Sequence, residues 1–510
     1  CLRLLAVMLL STRVLLWVRS GVALTRPTTT RRGTASSCAA GVRRACEVVE
    51  RRMPLVGEAH RLFGDVRLDQ STRIFAAQHV LETTELMMDS FVARGIPASN
   101  ILVIGKCYSA DPVVYERMRR KVDLCASTMS FDSHMPYDEQ YGVHISAFAD
   151  RLFGHLRRLL ANGAATHPSN VVVMDDGGYL LAEVSRRLHA DPALRASLAT
   201  AGVRMMGVEQ TSSGWRRLRH TALPLPVVNV ARSSGKLSLE SPLIGMFTLE
   251  PIRRHIERIA QVLRAEGLPW TADNALVIGG GAIGQQVSRA LVTQLDIPTT
   301  IFSTEDDGSA VVHRITRAPC RAGNPPSSLG GEGTQTHTST IAADAQQAAF
   351  RSLLPQYRLV IGCTGQTVLG AEELALLEPH TLLISVSSSD REFSAVEIRR
   401  ATSHRHEWNS LFRGSLNGRE LLLPFAGFPI TFDDHCAFAG SPEAMQLTMS
   451  LLTTAVLQNL QTSQRHDRAQ HGFIEVHAQA QERLSRMFHE VQIGKQAEEW
   501  LRTVNPPMYY

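Results

Sequence analysis

The sequence predicts an α/β chain containing a Rossmann-type dinucleotide-binding unit. First, short apolar runs alternate with stretches of helical spacing along most of the chain. That is the pattern of a parallel sheet with helices on both faces. Second, the run Ala275-Leu-Val-Ile ends in Gly279-Gly-Gly-Ala-Ile-Gly284, and a helix-like segment follows at 285–293. Gly279, Gly281 and Gly284 have the G-x-G-x-x-G spacing. The first glycine permits a tight turn, the second lets backbone N–H groups approach a pyrophosphate, and the third lets helix and strand pack closely. Ala282 and Ile283 complete the turn, where the helix N-terminus offers partial positive charge to phosphates. Third, Glu305 stands 21 residues past Gly284, after the apolar run 300–303. An acid there suits a ribose 2′-hydroxyl and favours NAD over NADP. A bare glycine triplet is also a common tight turn. The ordered strand, glycines, helix, strand and acid select the cofactor.

The remaining elements follow from periodicity. Residues 72–94 read as a helix and 100–105 as a strand. A helix is expected at 111–121, with Pro112 near its first turn. Residues 148–160 have helical spacing, 171–174 form a buried-type strand, 179–189 a helix and 224–230 a short strand. A long helix at 249–266 leads into the glycine turn. Residues 318–340, rich in Gly, Pro, Ser and Thr, read as a flexible surface insertion. Further strands are expected at 358–362, 381–386 and 420–424, and helices at 442–460 and 473–492.

Charge gives no case for nucleic acid. The formal net charge is +5, but residues 1–46 hold eight arginines and no acidic residue, so the rest carries 45 Lys and Arg against 48 Asp and Glu. Residues 1–46 have transit-peptide composition and read as a targeting-like or disordered leader. Without a working leader the expected location is cytoplasmic, with one organellar. Beyond the leader no stretch is apolar enough to span a membrane. Eight cysteines form no C-x-x-C and no metal-ligand spacing, which reads as reduced thiols and no metal.

Several motifs, in one order over about residues 70–490, resemble S-adenosylhomocysteine hydrolase (adenosylhomocysteinase). His79-Val-Leu-Glu-Thr83 is similar to its His-x-x-x-Glu-Thr stretch, one residue shorter. Asp175-Asp-Gly-Gly178 matches its Asp-Asp-Gly-Gly loop, and Glu209-Gln-Thr-Ser-Ser-Gly214 is similar to Glu-Glu-Thr-Thr-Thr-Gly. Val228-Asn-Val230, then Lys236, matches the strand leading to the family's active-site lysine. Gly362-Cys-Thr-Gly365 fits its NAD domain, and Asn417-Gly-Arg-Glu-Leu-Leu-Leu423 its Asn-Gly-Arg strand.

The resemblance implies a Rossmann NAD-binding domain inserted into a second α/β substrate-binding domain. The expected division is a leader at 1–46, a first substrate-binding segment at 47–240, the NAD domain at 241–440, a second substrate-binding segment at 441–470, and a C-terminal helix and tail at 471–510. Hinges would lie near 235–247 and 412–440. It implies a homo-oligomer and a nucleoside or thioether substrate, oxidised transiently at its ribose 3′-hydroxyl. By the same resemblance His79, Asp176, Lys236 and Glu240 would be catalytic, and Glu82, Gln210, Thr211 and Ser441 would bind substrate. Thr364 and Gly365 would join the glycine turn at the cofactor. Other readings stand beside these: a packed or capping His79, a helix-capping Asp176 or Thr211, an exposed Lys236.

The match is incomplete. Gln210 stands for a second Glu, and an amide cannot take a proton. Glu240 replaces an Asp and Ser241 an Asn. Ser388 and Ser441 stand where the family has histidines, and a serine is no general acid or base without an activating partner. The tail ends in Tyr509-Tyr510 without the family's lysine. His435, if displaced inward, could compensate for a lost histidine. The expected function is therefore an adenosylhomocysteinase-like enzyme with an altered site, or a catalytically degenerate NAD-binding relative that regulates or joins a true hydrolase.

Overall fold

Two sheets, one wholly parallel and one parallel at its centre, each with its own reversal of strand order, organise the fold. The structure, a computed structural model, describes residues 46–161, 169–304, 309–317, 334–402, 409–432, 441–465 and 471–492. These all fall in one compact unit, Arg44–Tyr510. The leader, Glu305, His435 and the tail from 493 onward lie outside the described residues.

The first sheet contains β1 (Thr72–Ala77), β2 (Ile101–Ile104), β3 (Asp123–Leu124), β4 (Ser169–Asp175), β5 (Val203–Glu209), β6 (Pro226–Asn229) and β15 (Gly472–Glu475), in the order β15-β6-β5-β4-β1-β2-β3. Every pairing is parallel. Residues 72–77, expected to be helical, are its central strand. Ile74 and Ala76 feed the core on one face, Phe75 and Ala77 the core on the other. A strand buried on both faces loses the polar alternation that would reveal it. Its Ala-rich end then runs into the helix Glu82–Ala93. Likewise Phe473 belongs to β15, and the last helix is confined to Ala478–Gln492. The helix Pro442–Gln464 is buried on most sides and covers one face of this sheet.

The second sheet contains β7 (Ala275–Ile278), β8 (Thr299–Thr304), β9 (Ala310–Arg317), β10 (Thr334–Ile341), β11 (Leu359–Gly362), β12 (Thr381–Ser385), β13 (Leu411–Leu416) and β14 (Arg419–Pro424). Their order is β10-β9-β8-β7-β11-β12-β14-β13. The five strands from β8 to β14 run parallel, while β9, β10 and β13 add antiparallel edges. This is a mixed α/β fold with a Rossmann-like sheet beside a second parallel sheet. The expected flexible insertion is corrected at its end: residues 334–340 are strand, their threonines favouring extended backbone on an exposed ribbon. Residues 318–333 lie outside the described residues.

Topology locates the site. In the first sheet the chain leaves β1 toward β2 and returns on β1's other side as β4. In the second it leaves β7 toward β8 and returns as β11. Each reversal parts two adjacent loops at the carboxyl ends of the strands, which is where open α/β sheets hold ligands. Among the described residues no helix is long and apolar enough to cross a membrane.

Candidate active site

Both reversals open into one cleft of about 380 Å³. From the first sheet come Gln78 and His79 after β1, Asp176 after β4, and Gln210 and Thr211 after β5. From the second come Gly281, Ala282 and Ile283 after β7, Cys363, Thr364 and Gly365 after β11, and Ser387 and Ser388 after β12. Strand register makes this convergence: Ala77 pairs with both Ile104 and Asp175, and Asp175 with Glu209, so the strands stop in one row.

Lys236 and Glu240 enter from a third direction. Residues Lys236–Glu240 form a π-helical turn that runs into the long helix Ser241–Ala265. The turn sets the two side chains face to face, with Lys236 Nζ 2.9 Å from Glu240 Oε1. Thr448 donates to the other Glu240 oxygen. Both carboxylate oxygens are thus engaged, and the ammonium is held at the cleft wall.

Asp176 is the electrostatic centre of the first-sheet side and is fully buried. Its Oδ1 is paired with Lys106 Nζ, itself 2% exposed. Its Oδ2 lies 3.2 Å from His79 Nε2, within ion-pair reach but not aligned for a hydrogen bond. Burial alone would raise the Asp176 carboxyl, but the Lys106 ammonium and His79 overcome it and hold it far below the usual carboxylate range. His79 is fixed by Ser109 at Nδ1 and by Phe432 against its ring at 4.7 Å. The result is a positioned imidazole against a permanently ionised carboxylate.

One residue earlier in each strand the logic inverts. Burial pushes Asp175 up to about 6, against the Leu181 N–H it accepts. Burial and then the Asp175 charge push Glu209 well above its ordinary value. Glu209 accepts from the Thr211 N–H at 2.8 Å, the Thr211 hydroxyl at 2.9 Å and the Gly177 N–H at 3.3 Å, so it shapes both loops. An acid with a raised folded pKa costs the fold stability as pH rises from its unfolded value toward the folded one. Glu209→Gln is therefore expected to gain on the wild type in urea midpoints as pH rises above the ordinary carboxylate range. A difference that shrinks with pH would show that Glu209 is ionised without penalty.

The nucleotide side fits a dinucleotide. Gly279 has φ +109°, and a side chain on Gly284 would strike the Gly279 carbonyl. Both glycines shape the turn from behind rather than lining the cleft. A Cβ on Gly281 would meet nothing within 4 Å, leaving open space before the helix Ala282–Leu295. No side chain caps that helix, so its first N–H groups face the cleft unclaimed. The facing loop is organised by buried Glu392, which accepts from the Thr364 and Gly365 N–H groups, each at 2.6 Å, and from Ser387. Across the cleft, both polar atoms of buried Gln78 and the Gln210 Oε1 have no protein partner, as befits a polar ligand.

Two expected substrate contacts fall elsewhere. Glu82 opens the helix Glu82–Ala93 and is held by Arg52 at 2.9 Å; Thr83 and Thr84 line the cleft instead. Ser441 caps the helix Pro442–Gln464 by accepting from the Ala444 N–H at 3.2 Å, a role its place before Pro442 favours. Thr211 both caps the helix Ser212–Leu218 and lines the cleft. Ser388 reaches Ser213 at 3.1 Å, joining the two sides. Lys106, Gln78 and Glu392 were not singled out by sequence. For Lys106 a signal exists: a lysine two residues past a wholly apolar strand.

No model of a known protein family matches the chain. Two curated, uncharacterised proteins of Mycobacterium tuberculosis, from strains CDC 1551 and H37Rv, are each 32% identical over 397 residues. The match takes in 75% of this chain and 63% of each relative, so the chain spans less than two thirds of their length. Solved structures similar to it include D-lactate dehydrogenase from Escherichia coli, 12% identical, over 78% of this chain and 99% of that one, TM-score 0.31. Another is D-mandelate dehydrogenase from Rhodotorula graminis, 10% identical, over 74% and 93%, TM-score 0.29. Likeness at that level carries no argument about chemistry.

Proposed function

We propose that this protein binds NAD against its second sheet and a ribosyl substrate against its first, and acts on an adenosyl thioether or related nucleoside through transient oxidation of the 3′-hydroxyl. The observation that supports this is the opening of both strand-order reversals into one cleft, glycine cradle on one side, His79, Asp176 and Lys236 on the other. Gly281, Ala282, Ile283, Thr364 and Gly365 would hold the dinucleotide, with Glu305 at its ribose. Bound NAD would supply a reversible hydride acceptor. Lys236, oriented by Glu240, would polarise the oxygen being oxidised. His79, backed by Asp176, would move the proton of the adjacent carbon or leaving group. Gln210 would orient a hydroxyl without taking its proton.

The domain division at 47–240, 241–440, 441–470 and 471–510, a cytoplasmic location, and assembly as a homo-oligomer belong to the same proposal. Gln210, Ser388 and Ser441 favour a second reading, a degenerate NAD-binding relative that no longer turns over. One measurement separates them. NAD-loaded protein is mixed with adenosine or S-adenosylhomocysteine and followed at 340 nm. The enzyme reading expects a reduced-nicotinamide signal that Lys236→Ala abolishes. Silence with every nucleoside, NAD being bound, leaves the second reading.

A further inference from the structure

The mouth of the cleft is strongly cationic. Arg216 and Arg232 line it, and Arg232 and Arg219 lie over the ring of Trp215 at 5.1 and 5.2 Å. Among the described residues no carboxylate comes within ion-pair distance of Arg216, Arg219 or Arg232; the nearby Arg217 lies 3.9 Å from Asp138, which is shared with Arg391. The cleft's own carboxylates are spent on lysines, Asp176 on Lys106 and Glu240 on Lys236.

We infer that the substrate carries a phosphate group, taken at the cleft mouth by Arg216 and Arg232. This rests on the nucleoside reading above and names the substrate class. An amino-acid substituent would bring an ammonium, and no uncommitted carboxylate is present among the described cleft residues to receive it. Guanidinium groups offer forked donors that match phosphate oxygens. The hydroxyls of Ser213 and Ser388 add donors suited to the same anion. The dinucleotide's own pyrophosphate has a separate seat at the uncapped helix before Ala282, on the opposite sheet. Both arginines are exposed, but Arg216 reaches across the cleft and donates from Nη1 to the Thr364 carbonyl at 2.6 Å, leaving its other N–H groups for the anion; Arg232 stays on the substrate side, so replacing it should disturb neither folding nor the facing loop.

The test is calorimetric titration of the full chain, saturated with NAD at low salt, with adenosine 5′-monophosphate and with adenosine. Wild type is expected to bind the monophosphate about tenfold to a hundredfold more tightly, the scale of one or two charge-assisted hydrogen bonds. In R232Q that preference should fall by about tenfold while NAD affinity is unchanged. Equal affinity of wild type for the two ligands, or binding of neither, overturns the inference. So does an R232Q variant that loses NAD and keeps the preference, because Arg232 would then serve the cofactor. If wild type holds no NAD, the preceding proposal fails by itself, and the monophosphate comparison still decides this one.

Discussion

Lys106→Met should destabilise the protein by about 3–5 kcal/mol at neutral pH, the cost of stranding a buried charge without its partner. Lys106 is 2% exposed and pairs with Asp176, which is 1% exposed, and removing the ammonium leaves that carboxylate with His79 alone. The sign of the pH dependence follows. In the wild type the Asp176 carboxyl is held low, so its pairing stabilises above the unfolded carboxyl value of about 3.9 and is lost as pH falls below it. In the variant burial dominates and drives the same carboxyl up. The deficit should therefore be largest above neutrality and shrink toward pH 4. Urea unfolding across that range checks it, and Lys106→Met/Asp176→Asn should recover most of the loss. If the double variant is no better than the single, Lys106 serves packing and not the charge of Asp176.

That pair also marks where sequence reading stopped. The glycine turn was legible because its chemistry is local: Gly279, Gly281 and Gly284 act within one turn, and strand, turn and helix are consecutive. His79, Asp176 and Lys236 were legible only through ordered resemblance, since each alone has an ordinary structural use. Lys106 was not legible, because its meaning depends on β2 stopping level with β4, a fact of register across 70 residues of chain. Glu82 and Ser441 misled for the converse reason. Both occupy positions similar to a family motif, but the first residue of a helix and the residue before Pro442 are positions local physics already claims. The central strand β1 was hidden by its depth: apolar on both faces and followed at once by a helix, it offers no period of two.

Gly284→Ala and Gly281→Ala should separate the two jobs of the glycine turn. A methyl group on Gly284 would run into the Gly279 carbonyl oxygen and sit 3.4 Å from Cys363 Cβ. The obstacle is backbone, so no rotamer relieves it. The strand–helix junction must open, and both the β7 end and the first turn of the Ala282–Leu295 helix shift. The expected loss is about 1–3 kcal/mol of stability, typical of overpacking, together with NAD affinity weaker by about a hundredfold. Gly281 differs in kind. Its φ of −66° suits any residue, and its added methyl group meets open space, so the free protein should melt within about a degree of wild type. That open space lies where a pyrophosphate would approach the helix N–H groups, so NAD should bind about tenfold more weakly or worse. Thermal melts without NAD and titrations with it read the two effects apart. If Gly281→Ala binds NAD as well as wild type, the pyrophosphate does not sit before this helix. The dinucleotide would then have to enter the cleft from the Thr364–Gly365 side.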